Sequence, residues 1–173
     1  KKNISLYVNF VRRADPGIIE VKARIFSNII QLPFKSVVWY SKGLLHNGSH
    51  FVDLLSFWFG EIKDIKLING GRDLSEYDCD PDVQFIFENG SAIFCSSKEE
   101  NYSNCTVEIV AANGRLRYEN GKAISWQAVE PHPDLDNFKR LRHDAEFIGV
   151  DANRCQYNIV QQLFLALKNH LLC

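Results

Sequence analysis

Methionine is absent from all 173 residues, and so is any Gly-x-Gly-x-x-Gly turn. Without that turn the chain offers no glycine-rich strand-to-helix cradle for the pyrophosphate of a dinucleotide. Long apolar runs are missing too. None, including the one around Phe57, Trp58 and Phe59, approaches the ~20 residues that span a bilayer. Charge of one sign is not in excess: 20 Lys and Arg against 21 Asp and Glu leave a net charge of −1. The basic residues are scattered, which argues against a nucleic-acid partner or a membrane surface. The five cysteines form an odd count with no Cys-x-x-Cys pair. Cys95 falls in an apolar strand-like run, where a reduced buried thiol is ordinary, so a cytoplasmic protein is expected. No signal-peptide pattern opens the chain, because KKNISLYVNF passes straight into a strand-like run. Asn-x-Ser/Thr sequons at Asn3, Asn47, Asn89, Asn101 and Asn104 reflect a chain rich in Asn and are not read as secretion.

What is present is ordinary globular composition, 46% apolar and 24% charged, in a length that suits one domain with a full core. The most informative stretch is Ser41 to Gly60, SKGLLHNGSHFVDLLSFWFG. Its spacing predicts a helix over Ser49–Phe59, with Asn47 or Ser49 as N-cap and Gly60 as the left-handed residue that ends it. Phe51, Val52, Leu54, Leu55, Phe57, Trp58 and Phe59 wrap most of its circumference, which predicts burial on more than one side. A narrow polar row of His50, Asp53 and Ser56 interrupts that surface. Buried polar groups without partners are costly, so the row marks either an internal hydrogen bond or a cavity. His46 stands four residues before His50, where Asn47-Gly48 turns the chain and aims it at the same space. A metal site at His46, His50 and Asp53 is disfavoured: no Glu follows the first His, and His46 lies outside the helix.

Elsewhere the pattern is mixed. Ile4 to Phe10 alternates as a strand; Asp15 and Pro16 then open an amphipathic helix running to about Asn28 or Ile30. Arg12 and Arg13 between them read as structural or domain-interface charges. Lys35 to Tyr40 and Ile62 to Ile68 read as strands, and Arg72 to Pro81 as loop. Val83–Glu88 and Ser91–Ser96 flank Asn89-Gly90, a strong hairpin signal, and Thr106–Ala111, Arg115–Glu119 and Lys122–Ala128 continue through turns at Asn113-Gly114 and Asn120-Gly121. These predict a five-strand antiparallel meander with helices over one face and a broad apolar surface on the other. Residues 135–150 suit a short helix or one last strand, and Asp151 to His170 a helix. The fold class expected is α+β: a twisted, mostly antiparallel open sheet with helices on one face.

The segment Lys42 to Leu55 resembles the substrate-site segment of the glucose–fructose oxidoreductase / inositol dehydrogenase (Gfo/Idh/MocA) family. Three further segments resemble that family in the same order: Val8 to Pro16, its strand and arginine turn closing the nucleotide-binding domain; Phe85 to Phe94, its mid-domain hairpin; and Val110 to Tyr118, its Gly-x-x-Gly-x-Leu strand turn, with Ala112 where Gly is usual. The resemblance implies that residues 1–32 are the junction with a cofactor domain absent from this chain. Residues 33–173 would then be the substrate-binding and oligomerising domain.

On that resemblance the reaction is hydride transfer between a secondary alcohol of a sugar, sugar derivative or polyol and NAD or NADP, the cofactor being bound mainly by the preceding domain. His50 matches the family's catalytic His, and an imidazole near its ordinary pKa suits proton transfer at neutral pH. Asp53 would orient it. His46 stands where the family has an Asp, which points to a shifted mechanism or an anionic substrate, and Lys42 and Asn47 join it as substrate contacts. The sheet face is expected to form a homo-oligomer, and the isolated chain to lack activity and tight cofactor binding. The alternatives are a non-catalytic ligand sensor or scaffold on the same fold, and an independent α+β binding domain.

Overall fold

A computed structural model describes residues 8–98, 101–119 and 122–168. Strand β1 (Phe34–Tyr40) alternates buried and exposed at every residue, as a period of two requires when one face is packed. It lies inside an open mixed sheet, parallel to β4 (Gly90–Ser96) and antiparallel to β5 (Thr106–Ala111). Around it stand β2 (Ile62–Asn69), β3 (Asp82–Phe87), β6 (Gly114–Glu119), β7 (Ala123–Pro131) and β8 (Lys139–Leu141), in the order β2-β3-β4-β1-β5-β6-β7-β8. β9 (Glu146–Ile148) pairs with β7. The expected α+β class therefore holds, with β1–β4 the one parallel pair among the described strands.

Helices α1 (Pro16–Phe26) and α2 (Ser49–Phe59) meet the sheet's inner face. Phe51, Leu54, Leu55, Trp58 and Phe59 of α2 join Ile18 and Val21 of α1 in one core with Phe34, Val38, Phe85, Phe94, Ile109 and Leu116 of the strands. Phe59 stacks on Phe34 at 4.8 Å and meets Phe87 edge-on at 5.7 Å, geometries that add to area burial. The Trp58 indole N–H donates to the Ile18 carbonyl at 3.0 Å, tying α2 to α1. Helix α3 (Ala152–Lys168) docks through Asn158, whose amide donates to the Ala14 carbonyl at 2.9 Å, and through buried Cys155 and Ile159.

Several local expectations change. β1 inserts between β4 and β5, so the strands do not form a continuous meander; that pairing is non-local and leaves no mark on sequence periodicity. The Asn89-Gly90 hairpin forms one residue out of register: Phe87 pairs with Gly90, and the turn is Glu88-Asn89. Gly90 serves close approach instead, because a Cβ there would lie 2.5 Å from the Phe34 carbonyl oxygen of the parallel neighbour. The turn expected at Asn113-Gly114 shifts likewise to Ala112-Asn113. Helix α1 stops at Phe26, where Asn28 takes a left-handed φ of 60°. Residues 135–150 hold the two short strands β8 and β9. Most of the strand expected at Ile4–Phe10, and the Asn120-Gly121 turn, lie outside the described residues, while residues 8–10 form no strand. The outer sheet face does expose Val37, Trp39, Ile93 and Val110.

Candidate functional site

The approach to α2 is built by carboxylates from a loop that periodicity leaves blank. Asp78, Asp80 and Asp82 alternate in the run Asp-Cys-Asp-Pro-Asp, and each accepts backbone N–H bonds. Asp78 takes those of Leu45 and His46 at 2.9 and 3.0 Å. Asp80 takes that of Arg72 at 2.5 Å and its guanidinium at 2.7 Å. Asp82 takes that of Ser96 at 2.9 Å. Between β1 and α2 the chain winds through Leu44–Gly48 as a π-turn, entered from Gly43 at φ 92°. A Cβ at Gly43 would run into the Asp78 carboxylate, so this glycine is fixed by both its backbone angle and its neighbour. The π-turn changes the expected capping: the N-cap is Gly48, without a side-chain bond, and Ser49 Oγ donates back to the Leu45 carbonyl at 2.6 Å.

The polar row on α2 divides. Asp53, with its side chain 7% exposed, accepts from Arg13 Nε at 2.9 Å and Nη2 at 2.7 Å, one guanidinium nitrogen on each oxygen. Both oxygens of Asp53, the residue expected to orient His50, are thus engaged by Arg13. Arg13 presents two parallel donors that match a carboxylate better than a single imidazole N–H does, and Asp53 reaches His50 through its charge alone. Ser56 Oγ turns back to the Val52 carbonyl at 2.8 Å. The Arg13–Asp53 pair stands between two hollows. One, of about 630 Å³, lies between α2 and the inner faces of β2 and β3 and is walled by Val52, Ser56, Ile65, Leu67 and Phe85. The other, of about 240 Å³, is walled by Val8, Phe10, Ile159 and Gln162.

His50 lines neither hollow. It is half-buried and meets the Phe10 ring edge-on at 6.0 Å. Burial pushes its pKa below the ordinary imidazole value, Arg12 and His46 push the same way, and Asp53 pulls back. These influences favour the neutral imidazole, the form that can accept a proton. Of the other residues expected at the site, His46 and Lys42 are exposed, and Lys42 holds a left-handed φ of 64°. The Asn47 amide donates to the Ser41 carbonyl at 2.9 Å, and Asn47 is half-buried. Sequence reasoning missed Asp78 and the Arg13–Asp53 pair. The Asp-x-Asp-x-Asp alternation was the available signal for the first; the second spans 40 residues and had none.

Among the described residues no group of three His, Cys, Asp or Glu side chains is arranged to hold a metal ion, and no helix is long and apolar enough to cross a membrane. Nor do the described residues fit the pyrophosphate of a nicotinamide dinucleotide. Such a group sits on free N–H donors at a helix N-terminus, and here carboxylates fill those places: Asp15 for α1, Asp78 ahead of α2 and Asp151 for α3.

No family model matches the chain, and no curated protein sequence matches it. Solved structures do. Levoglucosan dehydrogenase in complex with NADH and levoglucosan is 15% identical, with a TM-score of 0.66, covering 96% of this chain and 58% of that one. KijD10, a 3-ketoreductase from Actinomadura kijaniata in complex with NADP, is 13% identical with a TM-score of 0.65, covering 96% and 53%. A super-repressor mutant of Gal80p from Saccharomyces cerevisiae is 11% identical with a TM-score of 0.69, covering 98% and 53%. This chain thus spans little more than half the length of each of these three. At such identities the likeness is one of fold, and the fold is that of the C-terminal domain of the Gfo/Idh/MocA-type NAD(P)-dependent oxidoreductases.

Proposed function

We propose that this chain is the C-terminal, substrate-binding and oligomerising part of an NAD(P)-dependent oxidoreductase that acts on a secondary alcohol of a sugar, sugar derivative or polyol. The observation that carries the reading is His50: a half-buried imidazole at the first turn of α2, in a chain whose fold matches proteins solved with NADH and NADP. Residues 1–32 serve as the junction with a dinucleotide-binding domain, and that separate domain holds the cofactor; the carboxylates that occupy the helix-start N–H groups of this chain support that division. What this chain contributes is the alcohol's position and its proton. His50 accepts the hydroxyl proton in the direction of oxidation and returns it in reduction. His46, Asn47 Oδ1 and Lys42 bind the substrate's other oxygens. The Arg13–Asp53 pair holds the 3₁₀ turn Val11–Ala14 against α2 and so fixes the wall beside His50. The exposed Val37, Trp39, Ile93 and Val110 form the face through which two copies meet.

The test is turnover by the longer protein that includes the dinucleotide-binding domain, over a panel of sugars, sugar derivatives and polyols with NAD and NADP. Substrate-dependent reduction of the cofactor supports the enzyme. Saturable ligand binding by calorimetry without any turnover supports the second reading, a ligand sensor. That reading draws on the match to a repressor, Gal80p, and on the commitment of both Asp53 oxygens to Arg13.

A further inference from the structure

Four Asn-Gly steps lie among the described residues, at Asn47, Asn69, Asn89 and Asn113, and three of them are locked. The Asn47 amide donates to the Ser41 carbonyl at 2.9 Å, and the Gly48 N–H to the Gly43 carbonyl at 3.1 Å inside the π-turn. The Asn89 amide donates to the Phe59 carbonyl at 3.1 Å, and Gly90 is a strand residue paired with both Phe34 and Phe87. Asn113 is held at both ends of its side chain: the amide donates to the Ile29 carbonyl at 2.9 Å, and Oδ1 accepts the Gln31 N–H at 2.9 Å. Its neighbour Gly114 is paired with Ala111 and Ala128. Asn69 differs. It is the exposed last residue of β2, the edge strand, and among the described residues its amide nitrogen has no acceptor. Gly70 beyond it is exposed, donates its N–H to no carbonyl among the described residues, and would carry a Cβ with nothing within 4 Å. What the Asn69 side chain does bind is its own backbone: Oδ1 accepts the Gly71 N–H at 3.2 Å, with Gly71 at a left-handed φ of 74°. That Asx turn folds the side-chain carbonyl back over the Gly70 peptide.

We infer that Asn69 is a self-modification site, at which the Gly70 backbone nitrogen closes on the Asn69 side chain and converts it to aspartyl and isoaspartyl forms. The Gly70 nitrogen, its proton taken by hydroxide, attacks Asn69 Cγ. A C–N bond forms, the Cγ–Nδ2 bond breaks, and ammonia leaves behind a five-membered cyclic imide. Water then opens the ring at one carbonyl to give an aspartyl side chain, or at the other to give an isoaspartyl main chain. The sum is amide plus water to acid plus ammonia, with no change of oxidation state. Each local feature favours the attack. The Gly71 N–H sits on the oxygen where negative charge develops, Nδ2 faces solvent and can leave, and glycine at position 70 lets the backbone rotate to bring its nitrogen up. At the other three steps the ring closes only after hydrogen bonds break and the backbone leaves a helical turn or a paired strand. Either product puts a carboxylate opposite Asp82, the register partner of Asn69. The isoaspartyl form also adds a carbon to the main chain at the head of the loop that carries Asp78 and Asp80.

The experiment is peptide mapping by tandem mass spectrometry of the full chain, incubated for weeks in neutral buffer and in parallel in denaturing urea. In buffer the amide-to-acid conversion appears first at Asn69, as a mixture of isoaspartyl and aspartyl peptides, which opening of a cyclic imide gives and direct hydrolysis does not. Asn113, whose two side-chain hydrogen bonds must break first, converts roughly thirtyfold more slowly. In urea the four steps, which share one dipeptide, converge in rate. Gly70→Ala keeps the fold, because its Cβ meets no atom within 4 Å, and slows conversion at Asn69 by hindering the attacking nitrogen. Conversion at Asn47, Asn89 or Asn113 as fast as at Asn69 in buffer overturns the inference. So does an aspartyl product alone, an Asn69 lead that persists undiminished in urea, or an unchanged rate in Gly70→Ala. None of these readouts depends on whether the longer protein turns over a sugar.

Discussion

Removing either member of the Arg13–Asp53 pair breaks the same two hydrogen bonds, but the two removals differ in what they leave behind. Arg13 is 47% exposed and Asp53 7%. With Asp53→Asn the orphaned guanidinium turns to water and the amide still offers one acceptor oxygen, so the cost is about 1 kcal/mol. With Arg13→Gln a buried carboxylate loses both of its donors, and an uncompensated buried charge costs about 3 kcal/mol, the low end for pairs in which both partners are buried. For a chain of this size those costs correspond to melting-temperature losses of roughly 2–4 °C and roughly 6–12 °C. Thermal and urea denaturation of both variants at pH 7, followed by circular dichroism, measures this. Equal destabilisation by the two substitutions would refute the reasoning.

Three other outcomes follow from the same geometry. Because burial, Arg12 and His46 hold the His50 pKa below its unfolded value near 6.5, its contribution to stability is full above that value and is lost as pH falls through the folded pKa. Denaturation midpoints across that window should decline in the wild type and decline less in His50→Gln. Asp78→Ala strips two N–H groups of their acceptor at the π-turn and should cost about 1–2 kcal/mol in urea denaturation, as loss of a helix cap does, while Asp78→Asn, which keeps one oxygen, should cost less. Trp39→Glu places a charge in the centre of the exposed apolar face; sedimentation velocity should show a shift from dimer to monomer with the circular dichroism spectrum unchanged.

How much of this was legible in the sequence depends on the range of the interaction. Local rules placed α2 at Ser49–Phe59 with Gly60 closing it at φ 91°, and placed Asp15 and Pro16 at the head of α1, where the Asp15 carboxylate accepts the Gly17 N–H at 2.8 Å. These signals lie within four residues of one another, and the chain's chemistry there leaves little choice. The insertion of β1 between β4 and β5 depends on which strands find each other across 50 residues or more; alternation says that a strand has a buried face and is silent about its neighbour. Asn-Gly marked the hairpins correctly but misplaced their turns, because at Gly90 the missing side chain admits the neighbouring backbone. At the site, the polar row of α2 was visible as a pattern, whereas the partner of Asp53 was not. A His and an Asp three residues apart invite each other on paper; in the fold an arginine 40 residues away offers a better-matched pair of donors.

The proposed activity turns on whether His50 moves the substrate proton. The direct measurement is the rate of cofactor reduction by the longer protein, with its dinucleotide-binding domain, for wild type and His50→Gln on whichever sugar substrate it turns over. The account predicts that kcat falls about 10²- to 10⁴-fold, the range expected for loss of a general base, with substrate affinity largely kept. Turnover by His50→Gln at the wild-type rate would contradict it.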